Sequence, residues 1–346
     1  MSAARAEPAA AGAQTDAEAR VEPQRVGVVG LGYWGPNLAR NLAAIPGCEL
    51  RWLCDAREQA RARAAHTFAG VRVTAELSEL LEDPALDAVL LATPVATHAE
   101  LAATVLGAGK HCFVEKPLAT RTADAERAVQ AAADAERILM VGHLLEFHPA
   151  VTRLKELIDA DELGALYYIY GNRVNLGQLR ADENALWSLG AHDVSVVLRL
   201  VGEEPEQCIA HGASFVRESI QDVVFCYLRF PSGIIAHLHL SWLDPHKERR
   251  LTVVGARRMA TFDDMLLEGK LAIYDKGFDE DARSWGEYTA RSGDIFCPRI
   301  PNAEPLRIEC EHFLECIRTG ARPRSDGHSG LRVVRVLEQL QRSLAP

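Results

Sequence analysis

The chain lacks the features that would place it in several large functional classes. It has no apolar run of transmembrane length, so no membrane partner is expected. Residues 1–24 are rich in Ala, Glu and Pro, carry mixed charge and contain no apolar stretch, which describes a disordered tail rather than a signal peptide. An excess of positive charge is also missing. The net charge is -10 and no Lys/Arg cluster offsets it, which argues against a nucleic-acid partner and makes any phosphate site a local one. Eight cysteines are present (Cys48, Cys54, Cys112, Cys208, Cys226, Cys297, Cys310, Cys316), yet none forms a C-x-x-C pair or a disulfide-like spacing. They fit small buried hydrophobes in a reducing compartment, and a cytoplasmic location is expected. The densest histidine group is His237, His239 and His246; its first two members share one face of a strand, and no metal site is expected there. There is no internal repeat.

What is present is enough material for two domains. The 346 residues are 48% hydrophobic and 25% charged, ordinary globular values. The run Arg25 to Gly35 reads as an apolar strand, then G-x-G-x-x-G, then a helix beginning near Pro36. Gly30 allows the tight turn, Gly32 lets the backbone approach a pyrophosphate, and Gly35 lets helix and strand pack closely, with Tyr33 and Trp34 beside them. The helix N-terminus would hold the diphosphate. A second apolar strand, Glu49–Cys54, ends at Asp55, where an acid can accept from the ribose hydroxyls. That favours NAD(H), while the nearby Arg57 leaves NADP(H) open. Asp55 would serve equally as an N-cap for a helix at 57–67.

Strand and helix patterns then alternate to Val141, predicting an α/β, Rossmann-type, doubly wound parallel sheet over residues 25–146. Ligands on such sheets bind beyond the carboxyl ends of the strands, where Thr93-Pro94, Glu115-Lys116-Pro117 and Gly142-His143 fall. Over residues 147–346 the pattern changes to helices at 149–158 and 187–200 and period-2 stretches at 208–216, 222–230, 234–242, 249–254 and 259–262. These predict an α+β domain with a large, mainly antiparallel sheet, closed by helices at 306–319 and 330–344. A large sheet of this kind needs its second face covered if that face is apolar, so a homodimer or homotetramer is expected.

Three places could carry chemistry. Lys116 follows an apolar strand; desolvated there, its amine could donate to a substrate oxygen, or it is a surface lysine in a β–α loop. His192 lies near the start of an apolar helix and could take a hydroxyl proton, or simply be packed there. The segment from Asn172 to Arg180 is dense in donors. Arg173 and Asn175 share a strand face and could contact substrate hydroxyls, and Arg180 could contact a phosphate or lie in a solvated loop.

The order of these motifs, with His98 after Thr93-Pro94 and Gly190-x-His192 before the second sheet, resembles the glucose–fructose oxidoreductase / inositol dehydrogenase / MocA family over nearly all of residues 25–346. Within it the stretches Gly32 to Asn37, Glu162-Leu163-Gly164, Tyr170 to Trp187 and Leu331 to Val334 look most like nucleotide-sugar 3-dehydrogenases and sugar 3-ketoreductases. The resemblance implies hydride transfer between NAD(H) and a sugar, at C3 of a nucleotide-linked hexose of the UDP-N-acetylglucosamine type. It implies Lys116 and His192 as the catalytic pair, with Thr93, Pro94, His98 and Glu115 on the nicotinamide side. Substrate contacts would come from Arg173, Asn175, Arg180, Asn184, Trp187 and Ser188. The family pattern before the histidine is usually Asp-x-Gly-x-His, and here Ser188 stands at the Asp position, with Asp193 a poorly placed substitute. Members acting on inositol or a free sugar, and non-redox members that bind NAD as glycosidases or ligand sensors, are the alternatives.

Overall fold

The computed structural model describes residues 22–177, 179–181, 183–280 and 288–344. Most of the predicted tail therefore lies outside the described residues. The first sheet holds β1 (Gln24–Val29), β2 (Cys48–Cys54), β3 (Arg72–Thr74), β4 (Ala88–Leu91), β5 (His111–Glu115) and β6 (Leu139–Gly142). All pairs are parallel, in the order β3-β2-β1-β4-β5-β6. The order reverses beside β1, which places a ligand crevice at its carboxyl end. Every residue of β4 is buried, as expected of a strand covered on both faces. The connections carry α1 (Gly35–Ala44), α2 (Glu58–Thr67), α3 (Leu77–Leu81), α4 (His98–Gly107) and α5 (Thr122–Asp134).

After α6 (Pro149–Asp159) comes a second sheet of β7 (Leu166–Val174), β8 (Gln207–Ala213), β9 (Val223–Arg229), β10 (Ile235–Ser241), β11 (Glu248–Gly255), β12 (Met259–Asp263), β13 (Leu271–Glu280) and β14 (Tyr288–Phe296). Its order is β14-β13-β12-β11-β7-β10-β9-β8; β7 and β10 run parallel, and the other neighbours antiparallel. One face packs on α6 and α7 (Ala191–Val201) through Ile169, Leu238, Cys226 and Val253. The other face carries Tyr168, Tyr170 and Phe225, all at least 36% exposed. Here His239 stacks on Phe225 with ring centroids 4.5 Å apart.

The sequence pattern gives no strand at 271–296, where β13 and β14 lie. β14 is almost wholly exposed, so no apolar period marks it. The helix predicted at 187–200 also differs. It begins with a π turn, Leu186–Gly190, before α7 takes over. The last two helices, α8 (Pro305–Thr319) and α9 (Gly327–Ser343), return to the first sheet. Phe313 of α8 meets Phe113 of β5 edge-on at 5.7 Å. Between the helices, Ser325 exchanges backbone and side-chain hydrogen bonds with Val141 at 2.7 Å, which covers the open edge of β6.

Candidate active site

The glycines of the first turn separate by function. Gly30 has φ +90°, and a Cβ on it would lie 2.5 Å from the Ala92 carbonyl. A Cβ on Gly35 would lie 1.9 Å from the Gly30 carbonyl, so strand and helix are in backbone contact there. Gly32 is different: a Cβ would meet only the Arg57 guanidinium at 3.7 Å. Its backbone faces open space, and no side chain caps the start of α1. Uncapped N–H groups beside an open glycine suit a diphosphate. A cavity of about 610 Å³ continues from this turn, lined by Gly30, Gly32, Asp55, Arg57, Thr93 and Pro94 among others. The residues present therefore fit a dinucleotide.

Asp55 is buried and fully engaged. It accepts from the Leu31 N–H at 2.7 Å, the Arg57 N–H at 2.8 Å, and the Arg57 guanidinium at 3.1 and 3.0 Å. Burial pushes this carboxyl up, but the Arg57 and Leu31 hydrogen bonds together hold it below its ordinary value. A carboxylate offers about four lone-pair sites, so a ribose hydroxyl could reach Asp55 only by displacing the Arg57 guanidinium. That side chain is 63% exposed and can swing away.

A smaller cleft of about 180 Å³ brings together Tyr33, Trp34, Thr93, Pro94, His98, Glu115, Lys116 and Arg180. Lys116 sits just past β5, its Nζ donating at 3.4 Å to the Ser188 carbonyl in the π turn. Burial pulls its amine below the ordinary lysine value; Glu183 and Glu115 oppose this, and Arg180 and Arg173 add to it. Glu115 is buried and pushed up to about 7, against the Lys116 charge and N–H. Arg180 is half exposed and paired with Glu183 at 3.0 Å. His192 has its Nδ1 buried without a partner. Burial, then the charges of Lys116, Arg173 and His143, hold its ring neutral, well below the ordinary histidine value. A neutral imidazole can accept a proton from a hydroxyl.

Several residues expected at the ligand have other work. Arg173 is buried in a bidentate ion pair with Asp193, at 2.6 and 3.0 Å, which occupies its Nε and one Nη2 donor. The same pair removes Asp193 as a stand-in for the carboxylate that Ser188 lacks. Asn184 donates to Gln221 and Gln341 and accepts the Trp187 N–H, holding the π turn. The Trp187 indole also donates to Gln341, at 3.1 Å. It lines a separate cavity of about 430 Å³ with Pro117 and Glu183. His98 lies against the Pro117 and Thr93 carbonyls, at 2.8 Å each, bracing the two loops. Asn175 follows β7, with its backbone bonded to Ser241 and Asp244. A larger cavity of about 830 Å³, near Lys270 and Arg299, contains none of these residues.

Three participants were not assigned from sequence. Glu183 faces Lys116, and nothing in its loop pattern marks it. Glu309 is buried on α8 with both carboxyl oxygens unpartnered. His143 is buried with neither ring nitrogen partnered. Its position after β6 was visible as a strand end, but not its burial.

A glycine-lined dinucleotide cleft opening onto a desolvated lysine is the arrangement of an NAD-binding Rossmann oxidoreductase. Comparison with known proteins gives the same class. Residues 24–143 match the oxidoreductase family with an NAD-binding Rossmann fold, and residues 151–261 match the Gfo/Idh/MocA C-terminal domain. The chain is 28% identical to myo-inositol 2-dehydrogenase of Thermotoga maritima, covering 88% of this chain and 92% of that one. It is also 28% identical to UDP-N-acetylglucosamine 3-dehydrogenase of Acidithiobacillus ferrooxidans, covering 92% and 96%. A crystal structure of the latter superposes with a TM-score of 0.80 at 27% identity, covering 94% of this chain and 98% of that chain. A solved structure from Magnetospirillum magnetotacticum MS-1 is 30% identical with a TM-score of 0.80, covering 92% and 100%. The chain belongs to the Gfo/Idh/MocA oxidoreductase family. Among the described residues, no helix is long and apolar enough to cross a membrane.

Proposed function

We propose that this protein oxidises a hydroxyl of a nucleotide-linked hexose, at C3 of a UDP-N-acetylglucosamine-type sugar, or runs the same site backwards on the 3-keto sugar. The observation that carries the nucleotide-linked reading is Arg180, which lines the same small cleft as Lys116 while keeping half its surface free. A half-exposed guanidinium in that cleft suits a phosphate on the substrate. The relative named UDP-N-acetylglucosamine 3-dehydrogenase, matched over 92% of this chain, supports it.

In this reading the sugar hydroxyl lies between Lys116 and His192. Neutral His192 accepts the hydroxyl proton, and the Lys116 ammonium stabilises the developing oxyanion. Bound NAD supplies the hydride acceptor, and the chain supplies geometry and charge. Thr93, Pro94 and Glu115 would flank the nicotinamide, Ser188 presents its carbonyl to Lys116, and Asn175 remains the strand-end donor toward the sugar. The exposed Tyr168, Tyr170 and Phe225 on the second sheet favour a homodimer or homotetramer, which light scattering checks; a monomer at working concentration contradicts it.

Arg180→Ala tests the phosphate contact. A charged hydrogen bond is worth about 1.5–3 kcal/mol, so kcat/KM for UDP-N-acetylglucosamine should fall about ten- to a hundredfold. Turnover of myo-inositol or free glucose should be unchanged. Equal losses on both would remove the phosphate role and favour a free polyol as substrate.

A further inference from the structure

The cavity of about 430 Å³ beside Trp187 adjoins the reacting cleft and has no part in the reaction as drawn. The two share Val95, Pro117 and Glu183 as walls, so they lie side by side along the Arg180–Glu183 ion pair. One π turn serves both. The Ser188 carbonyl accepts from Lys116 in the cleft, and the preceding residue, Trp187, lines the cavity. Another wall is the end of α9, with Glu338, Gln341 and Arg342. The volume falls within the usual range of small-ligand sites, about 300–1,000 Å³.

Charge decides what such a cavity takes. Two carboxylates, Glu183 and Glu338, line it against one guanidinium, Arg342, which is already paired with Glu338 at 3.4 Å. That lining disfavours a phosphate and suits a flat, uncharged group lying against the indole. Hydrogen bonding narrows the group further. An indole N–H can only donate, and that of Trp187 meets the Gln341 side-chain oxygen at 3.1 Å. The Asn184 amide donates to the same oxygen at 2.8 Å. The Gln341 amide is thereby fixed in one orientation, with its oxygen occupied, and it offers the cavity an NH2 donor rather than a carbonyl.

We propose that this cavity is the base subsite of the nucleotide-linked substrate: a uracil lies against the Trp187 indole, and its 4-carbonyl accepts from the Gln341 NH2. The sugar is then at Lys116, the phosphate at Arg180, and the base beyond Glu183. Cytosine carries an NH2 in place of the 4-carbonyl, so it sets donor against donor and leaves both unpaired. This inference rests on the nucleotide-linked reading above, but its test needs no turnover.

The probes are UDP and CDP, titrated by isothermal calorimetry into the protein saturated with NAD, so that the dinucleotide cleft is filled. The wild type should bind UDP at least about tenfold more tightly than CDP. Trp187→Ala should weaken UDP binding about five- to a hundredfold, as expected for the loss of one base stacked on an aromatic ring. Gln341→Glu keeps the acceptor for Trp187 and Asn184 and replaces the NH2 by an oxygen, so CDP should now bind more tightly than UDP. The added charge acts on both diphosphates alike, and the ratio of the two affinities reads the base contact alone. Trp187 packs partly against two of the cores. If Trp187→Ala fails to fold, by melting and NAD affinity, the ratio in Gln341→Glu decides. A wild type that binds neither diphosphate, or both equally, overturns the proposal, as does a Gln341→Glu variant that keeps the wild-type ratio. The expected ratios in a protein that turns over no UDP-sugar would keep the base subsite and remove the reaction. Turnover of UDP-N-acetylglucosamine with the ratio unmoved by Gln341→Glu would do the reverse.

Discussion

The pair Arg173–Asp193 gives a prediction that separates a structural role for Arg173 from a substrate contact. Sequence pattern alone offers Arg173 as a substrate contact. The structure buries its guanidinium on the inner face of the second sheet, held by both Asp193 oxygens at 2.6 and 3.0 Å. Both side chains are 9% exposed, so water cannot replace either partner. Asp193→Asn keeps the shape and removes the charge, leaving Arg173 buried as an uncompensated cation. Breaking a buried pair in this way costs about 3–5 kcal/mol. At about 2–4 °C per kcal/mol for chains of 150–250 residues, the melting temperature should drop on the order of 10 °C. Replacing both partners, Arg173→Met with Asp193→Leu, should recover most of that loss, because the desolvation of two charges disappears with them. Calorimetry on the two variants and on Arg173→Met alone is the assay. If Asp193→Asn melts with the wild type, or if Arg173→Met raises KM for the sugar at unchanged stability, Arg173 is a substrate contact after all.

Two further predictions use other parts of the molecule. Gly32→Ala should fold with near wild-type stability, since its Cβ meets only a flexible guanidinium, yet weaken NAD binding at least about tenfold, or about 1.4 kcal/mol. Gly35→Ala should instead destabilise the fold, because its Cβ collides with the Gly30 carbonyl; isothermal calorimetry and thermal melts on both variants separate the two roles. Glu309→Gln should stabilise the chain increasingly as pH rises. Burial, then Glu115 and Glu146, raise this carboxyl well above its ordinary value, so the folded chain keeps a proton that the unfolded chain releases near about pH 4.3. Above that pH the wild type loses up to about 1.4 kcal/mol per pH unit through this group, until its folded value is reached. Melting from pH 5 to 8 should show the variant's advantage widening, and a constant gap contradicts the buried, protonated carboxyl.

The first sheet was almost entirely legible because its signals are local. The central strands are short apolar runs, and the three glycines fall where the turn requires them. The second sheet was legible as far as Phe262, while its strands keep one face in the core. β13 starts in that core, with Leu271 and Ile273 buried, but its later residues and β14 run beyond it, and the period-2 pattern vanishes with the burial that produces it. At the site, Lys116 and the glycine turn could be placed because strand ends mark them. The parallel pairing of β7 with β10, the burial of Arg173 against Asp193, and the return of α8 to bury Glu309 all depend on contacts between residues far apart in the chain. No window of sequence carries them.

The proposed reaction requires Lys116 and His192 to act together on a sugar hydroxyl with NAD as the oxidant. The most direct measurement incubates wild type, Lys116→Met and His192→Phe with NAD and a panel of UDP-N-acetylglucosamine, its uronic acid, myo-inositol and glucose. Each sugar is followed by mass spectrometry, and NAD affinity is measured on the same samples. UDP-N-acetylglucosamine or its uronic acid should lose two hydrogens as an equal amount of NADH appears. Both variants should bind NAD like the wild type and turn over about 10²- to 10⁴-fold more slowly. Variants that keep wild-type rates, or a wild type that binds NAD and leaves every sugar at its starting mass, would contradict it.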